Sequence, residues 1–393
     1  MRSESIAWER AAEVRAAADG WRRAGAIDAR THQAIRNAYP DPCITPSAVW
    51  RVLTAVMVTA IVLCAFGAFV MAVEPRDRGL ALLLWLFAAA CFVATEYMDA
   101  SPRLARRGAA GATSFWGIAL FLGGLGLLLH VLRMRPDPAL HAFLLASALA
   151  WAASAWRWGS PLFAGLSAVS LFVLIARVPF GRALCVVAGV TLAGVAARRL
   201  DDGALAPSHR RAAAVLLLAG LAAVYAALNV YSLEQSLLED LLRFSPQRVT
   251  QPAVVFAIAA VATAVLPLVV LMSGLRSRRT LLIHAGIVLL ALSLVTLRHY
   301  VHVAPLWVVL TLSGTVLIAL ALAVERALRR APGGEAWGFT ADALFSDERQ
   351  RQLLQVVPVV GTFTPAATAP VPADKGFVPG GGGFGGGGAS DRF

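Results

Sequence analysis

From residue 49 to residue 324 the chain is a succession of ten apolar stretches, at 49–73, 79–97, 110–132, 139–156, 160–177, 183–197, 212–231, 252–273, 280–298 and 303–324. No Asp, Glu, Lys or Arg stands near the middle of any of them. At roughly 1.5 Å of rise per residue, about 20 apolar residues cover the hydrocarbon core of a bilayer. Inside that core a spanning backbone must satisfy its own hydrogen bonds, and these stretches show no strand-like alternation, so they read as helices. With 58% hydrophobic and 15% charged residues and a mean hydropathy of +0.69, the chain lies well outside soluble averages. The fold class expected is all-α: a polytopic transmembrane helical bundle of about ten spans.

The net charge of +12 rests on 34 arginines and a single lysine. A soluble chain so charged would suggest a nucleic-acid partner, but the arginines fall between apolar runs and no basic helix or aromatic-interleaved patch is present. They read as topology determinants instead. With a cytoplasmic N-terminus, the four inner loops hold eleven arginines (103, 106, 107, 157, 198, 199, 210, 211, 276, 278 and 279), and the five outer loops hold nine (76, 78, 133, 135, 177, 182, 243, 248 and 298). That excess, with arginine-rich ends, favours both termini inside. Stretch 183–197 is the shortest. Were it not to cross, the arginines at 210–211, 276–279 and 326–330 would all lie outside, so it is retained as a span.

Three regions follow. Residues 1–45 read as a cytoplasmic two-helix module, the first helix stopping near Gly20 and the second capped by Asp28 and ending before Pro40. With seven arginines before Arg51, the opening does not read as a cleavable signal. Residues 46–325 form the transmembrane domain. Within it the connection 232–251 carries an apolar stripe (Leu233, Leu237, Leu238, Leu241, Phe244), which fits either an amphipathic helix on the outer interface or an extension of the seventh span. Residues 326–393 form a cytoplasmic tail with a short helix capped by Ser346. Disorder is expected from about 362, where Pro, Ala and Gly dominate and eight of the nine positions from Gly380 to Gly388 are glycine.

Sites for chemistry are sparse. Glu96, Arg177, Arg298 and Glu325 all sit at stretch ends, where side chains reach headgroups. Cys43, Cys64, Cys91 and Cys185 fall one to a segment without CxxC spacing, which argues against a disulfide framework or structural zinc. Four of the seven histidines point to the outer side: His130, His141, and the i, i+3 pair His299 and His302, which share a helix face and have the chemistry for a metal or a proton-sensing pair. Pro267 and the glycines of FLGGLG (Gly123, Gly124, Gly126) read as hinge elements or as a tolerated kink and close packing points, with Ala119 and Gly123 at small-xxx-small spacing. Ser313 has no GxSxG frame and the glycine tail no following GK[ST]. No catalytic residue and no cofactor is assigned, and the chain reads as a non-enzyme.

WRRAGAIDARTHQAI, residues 21–35, resembles the opening of uncharacterised bacterial polytopic inner-membrane proteins, in which a short cytoplasmic helical module precedes the membrane helices. The ending GGGGFGGGGAS is similar to the Gly-rich tails of bacterial membrane proteins such as the TPM-domain family, although nothing else here resembles a TPM domain. The resemblance implies a bacterial inner-membrane protein and transfers no catalytic residue. The function expected is that of a membrane-embedded scaffold or sensory accessory component, set in the lipid bilayer and acting on a cytoplasmic protein partner through residues 1–45 and 332–393. The alternatives are a permease for an apolar or lipid-like solute and, behind it, an outer-face histidine metalloenzyme.

Overall fold

The computed structural model describes residues 3–23, 25–40, 47–101, 108–229, 253–277 and 279–300, together with isolated positions between 311 and 340. Its helices are α1 (Ser3–Arg23), α2 (Ala29–Ala38), α3 (Ala48–Val73), α4 (Asp77–Ala100), α5 (Ala109–Val131), α6 (Pro136–Trp158), α7 (Pro161–Ala176), α8 (Gly181–Leu200), α9 (Pro207–Leu228), α10 (Ala253–Ser277) and α11 (Thr280–Tyr300). Two residue pairs, Glu335–Ala336 and Phe339–Thr340, form a minimal antiparallel ladder. The tenth stretch, 303–324, lies largely outside the described residues, and those described within it, such as Gly314 and Ile318, are helical. The 232–251 connection and the tail beyond residue 340 lie outside them altogether.

Local chemistry places the helix ends. Proline opens α6, α7 and α9 at the first helical position, where no intrahelical partner for its missing N–H is needed. Gly159 closes α6 in the left-handed conformation (φ 66°), which lets α7 start two residues later. In the module the stop differs from the expectation at Gly20. Helix α1 runs through Gly20 to Arg23, and the left-handed turn residue is Gly25 (φ 72°), where the absence of a Cβ matters.

The Asp28 side chain caps α2, accepting the Thr31 amide at 2.9 Å. The Thr31 side chain and then its amide hold the Asp28 carboxyl below the ordinary aspartate range. Because the folded-state pKa is depressed, the stabilisation is present above the unfolded value and is lost as pH falls through the folded one. The first turn of α2 is therefore expected to fray in acid below about pH 4, with Asp28→Asn abolishing that pH dependence. Tracking the Thr31 amide resonance against pH checks this, and an identical acid response in both proteins would count against it.

Seven helices, α3, α4, α5, α6, α8, α9 and α10, are long and apolar enough to cross a membrane, and α7 and α11 contribute shorter apolar helices. The stretch read as 183–197 is part of α8, which at 20 residues is longer than its apolar run because Gly181, Arg182, Arg198 and Arg199 are helical too. The shortest is α7, at 16 residues. A chain whose described residues hold this many long apolar helices is a multi-pass membrane protein.

Successive helices pack as hairpins, α4 on α5, α6 on α7, α8 on α9 and α10 on α11, and α9 is the hub that touches α1, α6, α7, α8, α10 and α11. Three packed clusters carry the bundle. One joins α5, α6, α7 and α9 through Ile118, Trp151, Phe163 and Ala212. A second joins α8 to α11 through Ala193, Leu217, Val270 and Leu289, and a third holds α4 on α5 around Ala88 and Leu120. Close approach depends on missing side chains: a Cβ on Gly189 would lie 2.8 Å from the Gly220 carbonyl oxygen, and one on Gly124 would lie 3.1 Å from that of Ala81. Within FLGGLG the tight contact thus belongs to Gly124. Gly123 faces outward, with Leu84 at 4.0 Å as its nearest neighbour, and α5 runs unbroken through all three glycines. The glycine seam of α5 toward α4 is Gly117 and Gly124, rather than the Ala119 and Gly123 pair.

Candidate functional site

The alternation of helices gathers one set of loops at the end of the bundle where the α1–α2 module sits. That end carries Glu96, Arg157, Asp201, Arg210 and Arg279, and the charges there are paired across helices. Arg157 reaches Glu96 at 2.5 Å, joining α6 to α4. Arg279, between α10 and α11, forms a two-oxygen ion pair with Asp201 at the end of α8 and also donates to the Ala197 carbonyl at 3.3 Å. The opposite end has Arg177 on Asp137 at 3.1 Å.

The module is built before it is docked. The His32 ring, 4% exposed, accepts from Arg22 Nη1 at Nδ1 (3.2 Å) and donates from Nε2 to Asp19 Oδ1 (2.6 Å). One imidazole so ties α2 to two positions of α1. Three other residues of α1 reach the membrane domain. Arg10 donates to the Ala204 carbonyl at 2.6 Å, Glu13 pairs with Arg210 at 3.3 Å, and Glu9 Oε2 accepts the Ser208 amide at 3.1 Å.

That last contact has a specific physical basis. Helix α9 begins at Pro207 with Ala206 as its N-cap, and no side-chain cap of its own. The first amides of a helix lack intrahelical acceptors and carry the positive end of the helix dipole. Glu9 supplies the missing acceptor from another segment of the chain. Next to it, His209 Nε2 donates to the Trp156 carbonyl at 2.8 Å, and Gly159 leaves room for Ser208, whose Oγ a Cβ there would approach to 2.5 Å. The end of α6, the start of α9 and one face of α1 therefore meet at a single polar junction.

Toward the far end of α9 a second polar feature lies inside the bundle. Pro267 stands inside α10, which runs continuously from Ala253 to Ser277, and is among the most deeply buried side chains of the described residues. A proline has no N–H, so the carbonyl four residues earlier, that of Thr263, is deprived of its helical donor. The Ser293 hydroxyl of α11 donates to that carbonyl at 2.7 Å. With the Ser293 proton so used, the Tyr225 hydroxyl of α9 is the donor in its 3.1 Å contact with Ser293 Oγ. Close by, Asn229 Nδ2 donates to Thr296 Oγ1 at 3.2 Å. Polar groups in lipid find such partners on neighbouring helices.

The histidines singled out from sequence fall as follows. His130 is exposed in the last turn of α5, and His141, in the first turns of α6, donates from Nδ1 to the Asp137 carbonyl at 2.6 Å. His299 belongs to the final turn of α11, its side chain outside the described residues, and His302 lies outside them. Among the described residues no group of three or more His, Cys, Asp or Glu forms a metal-binding cluster. Sequence reasoning missed the Glu9 cap and the Ser293 contact. The capless start of α9 and the deprived Thr263 carbonyl were both legible signals, but their partners stand 199 and 30 residues away.

No family model, curated protein or solved structure matches the chain.

Proposed function

We propose that this protein is a membrane-embedded scaffold or sensory component that works through its cytoplasmic ends, with the α1–α2 module as the part that connects the bundle to a protein partner. The observation that supports this reading is the cap that Glu9 places on α9. The helix touching most of the bundle is completed by a residue of the module, so the position of α9 and the seating of the module are energetically linked. The excess of arginine in the loops on the module side supports a cytoplasmic placement of that end in a bacterial inner membrane, with both termini inside.

The contacts that seat the module are polar and largely exposed, each worth about 0–1 kcal/mol for the ion pair and about 0.5–2 kcal/mol for the cap. Such a docking is stable yet reversible, which suits a part that exchanges partners. Neutralising both carboxylates, Glu9→Gln with Glu13→Gln, is expected to raise the undocked population roughly tenfold. Labels on α1 and at the exposed start of α9 would report it in the full chain held in nanodiscs. In cells, the same pair of substitutions and a deletion of residues 1–45 are both expected to shrink the complex in which the protein migrates, while the membrane domain still inserts. Unchanged complexes in both would overturn the reading.

A second reading, a permease for an apolar or lipid-like solute, is favoured by the proline inside membrane helix α10. It predicts solute flux in reconstituted vesicles that survives deletion of residues 1–45, a result the scaffold reading does not produce.

A further inference from the structure

The two halves of α10 are held in different ways. After Pro267 the helix is locked to α11 by backbone contact. A Cβ on Gly274 would lie 2.7 Å from the Ile283 amide nitrogen, and one on Gly286 would lie 2.8 Å from Leu271 Cα and its amide nitrogen. Approach this close leaves no room for sliding or tilting without separating the two backbones. Before Pro267 the helix turns Val254, Ile258 and Val261 outward and buries Ala259 and Thr263. There Leu266 packs against the cluster that includes Leu282 and Leu289, and the ties to α11 include a hydrogen bond from the Ser293 hydroxyl to the Thr263 carbonyl.

A proline removes a backbone hydrogen bond and pushes its ring against the carbonyl four residues back, so it marks the point about which a helix bends. A carbonyl deprived of its amide and buried in apolar surroundings is costly unless another donor reaches it. Ser293 meets that need only while the first half of α10 lies against α11. When that half swings away, the Ser293–Thr263 hydrogen bond is lost. The Tyr225 hydroxyl, donating to Ser293 Oγ, fixes which way the serine proton points and brings α9 into the arrangement.

We propose that Ser293 is a latch on a hinge at Pro267, keyed by Tyr225, so that the 253–266 half of α10 has a latched and an unlatched position while the 267–277 half stays fixed on α11. The latch stands whether or not the α1–α2 module passes a signal. It makes one unusual demand: Ser293 matters because residue 267 has no N–H. Restoring that N–H makes the serine dispensable.

The test uses the full chain in lipid nanodiscs with the native cysteines replaced and spin labels introduced at two outward-facing pairs. Ile258→Cys with Val190→Cys reports the first half of α10 against α8, and Met272→Cys with Val190→Cys reports the second half. Ser293→Ala is expected to raise the unlatched population roughly tenfold, seen as a second distance for the Ile258 pair only. Tyr225→Phe is expected to give a smaller change of the same kind. Adding Pro267→Ala to Ser293→Ala is expected to return the single distance, because the new amide bonds the Thr263 carbonyl itself.

A Ser293→Ala effect of equal size with and without Pro267→Ala would overturn the proposal, since the serine would then be packing and nothing more. So would movement of both label pairs together, or no change at all. Should Ser293→Ala fail to assemble, Ser293→Thr and Ser293→Val make the same comparison between near-isosteres. Threonine keeps the hydroxyl and is expected to stay latched, and a threonine variant that behaves as valine does would refute the latch.

Discussion

Gly220→Val is expected to unseat α8 from α9 and to lower the stability of the bundle by about 2–3 kcal/mol. A Cβ at position 220 would stand 2.7 Å from the Gly189 carbonyl oxygen and 3.0 Å from the Ala193 amide nitrogen, and both are backbone atoms that cannot rotate aside. The helices must move apart. In lipid that separation is costly for a particular reason: hydrocarbon tails are as apolar as leucine, so helix association rests on close packing rather than on escape from water. Gly194, on α8 itself, has open space where a Cβ would stand, with nothing within 4 Å, and Gly194→Val should stay within about 0.5 kcal/mol of the parent. Unfolding of the full chain in mixed micelles measures both. Equal losses from the two substitutions would show that the glycine seam is not what holds α8 to α9.

Phe163→Ala is the second large effect expected. Phe163 is 2% exposed at the start of α7 and packs on Trp151 (ring centroids 5.3 Å apart) and Trp158 (6.4 Å), inside the cluster that ties α5, α6, α7 and α9 together. In a soluble core such a truncation costs about 3–5 kcal/mol. Here the water-transfer part of that figure falls away, because the unfolded alternative within the bilayer is also surrounded by hydrocarbon. What remains is the lost dispersion and ring contacts and the cavity, about 2–3 kcal/mol. Phe180→Ala is the matched control, since Phe180 is 87% exposed in the turn before α8 and supports no cluster. The expected result is a clear gap between the two in unfolding free energy, and comparable losses would sink the assignment of Phe163 to the core.

Much of the architecture was legible in one dimension. A stretch of apolar residues long enough to cross hydrocarbon and without strand-like alternation reads as helical, since such a backbone satisfies its hydrogen bonds within the segment, and α3, α4, α5, α6, α8, α9 and α10 follow from that. Helix starts marked by Pro136, Pro161 and Pro207 and the cap at Asp28 are equally local. The errors were local as well. Gly20 resembles a stop, but a helix tolerates glycine and ends where a left-handed residue is needed, which is Gly25. Arginines at the ends of an apolar run conceal helical turns, so 183–197 understates α8.

The candidate sites were legible only as unanswered needs. Pro267 announces a deprived carbonyl at Thr263, and Ala206 before Pro207 announces an uncapped helix, but neither says which residue answers. Ser293 and Glu9 are a hydroxyl and a carboxylate like others in the chain, and their roles come from which helices become neighbours. Apolar length and arginine placement, properties of single segments in a bilayer, determined by themselves that this is a multi-pass helical membrane protein. Which glycine is a contact, which serine bonds the carbonyl that Pro267 leaves without a helical donor and which glutamate caps α9 were decided by the tertiary structure, because in lipid those choices depend on backbone approach and hydrogen-bond geometry between helices.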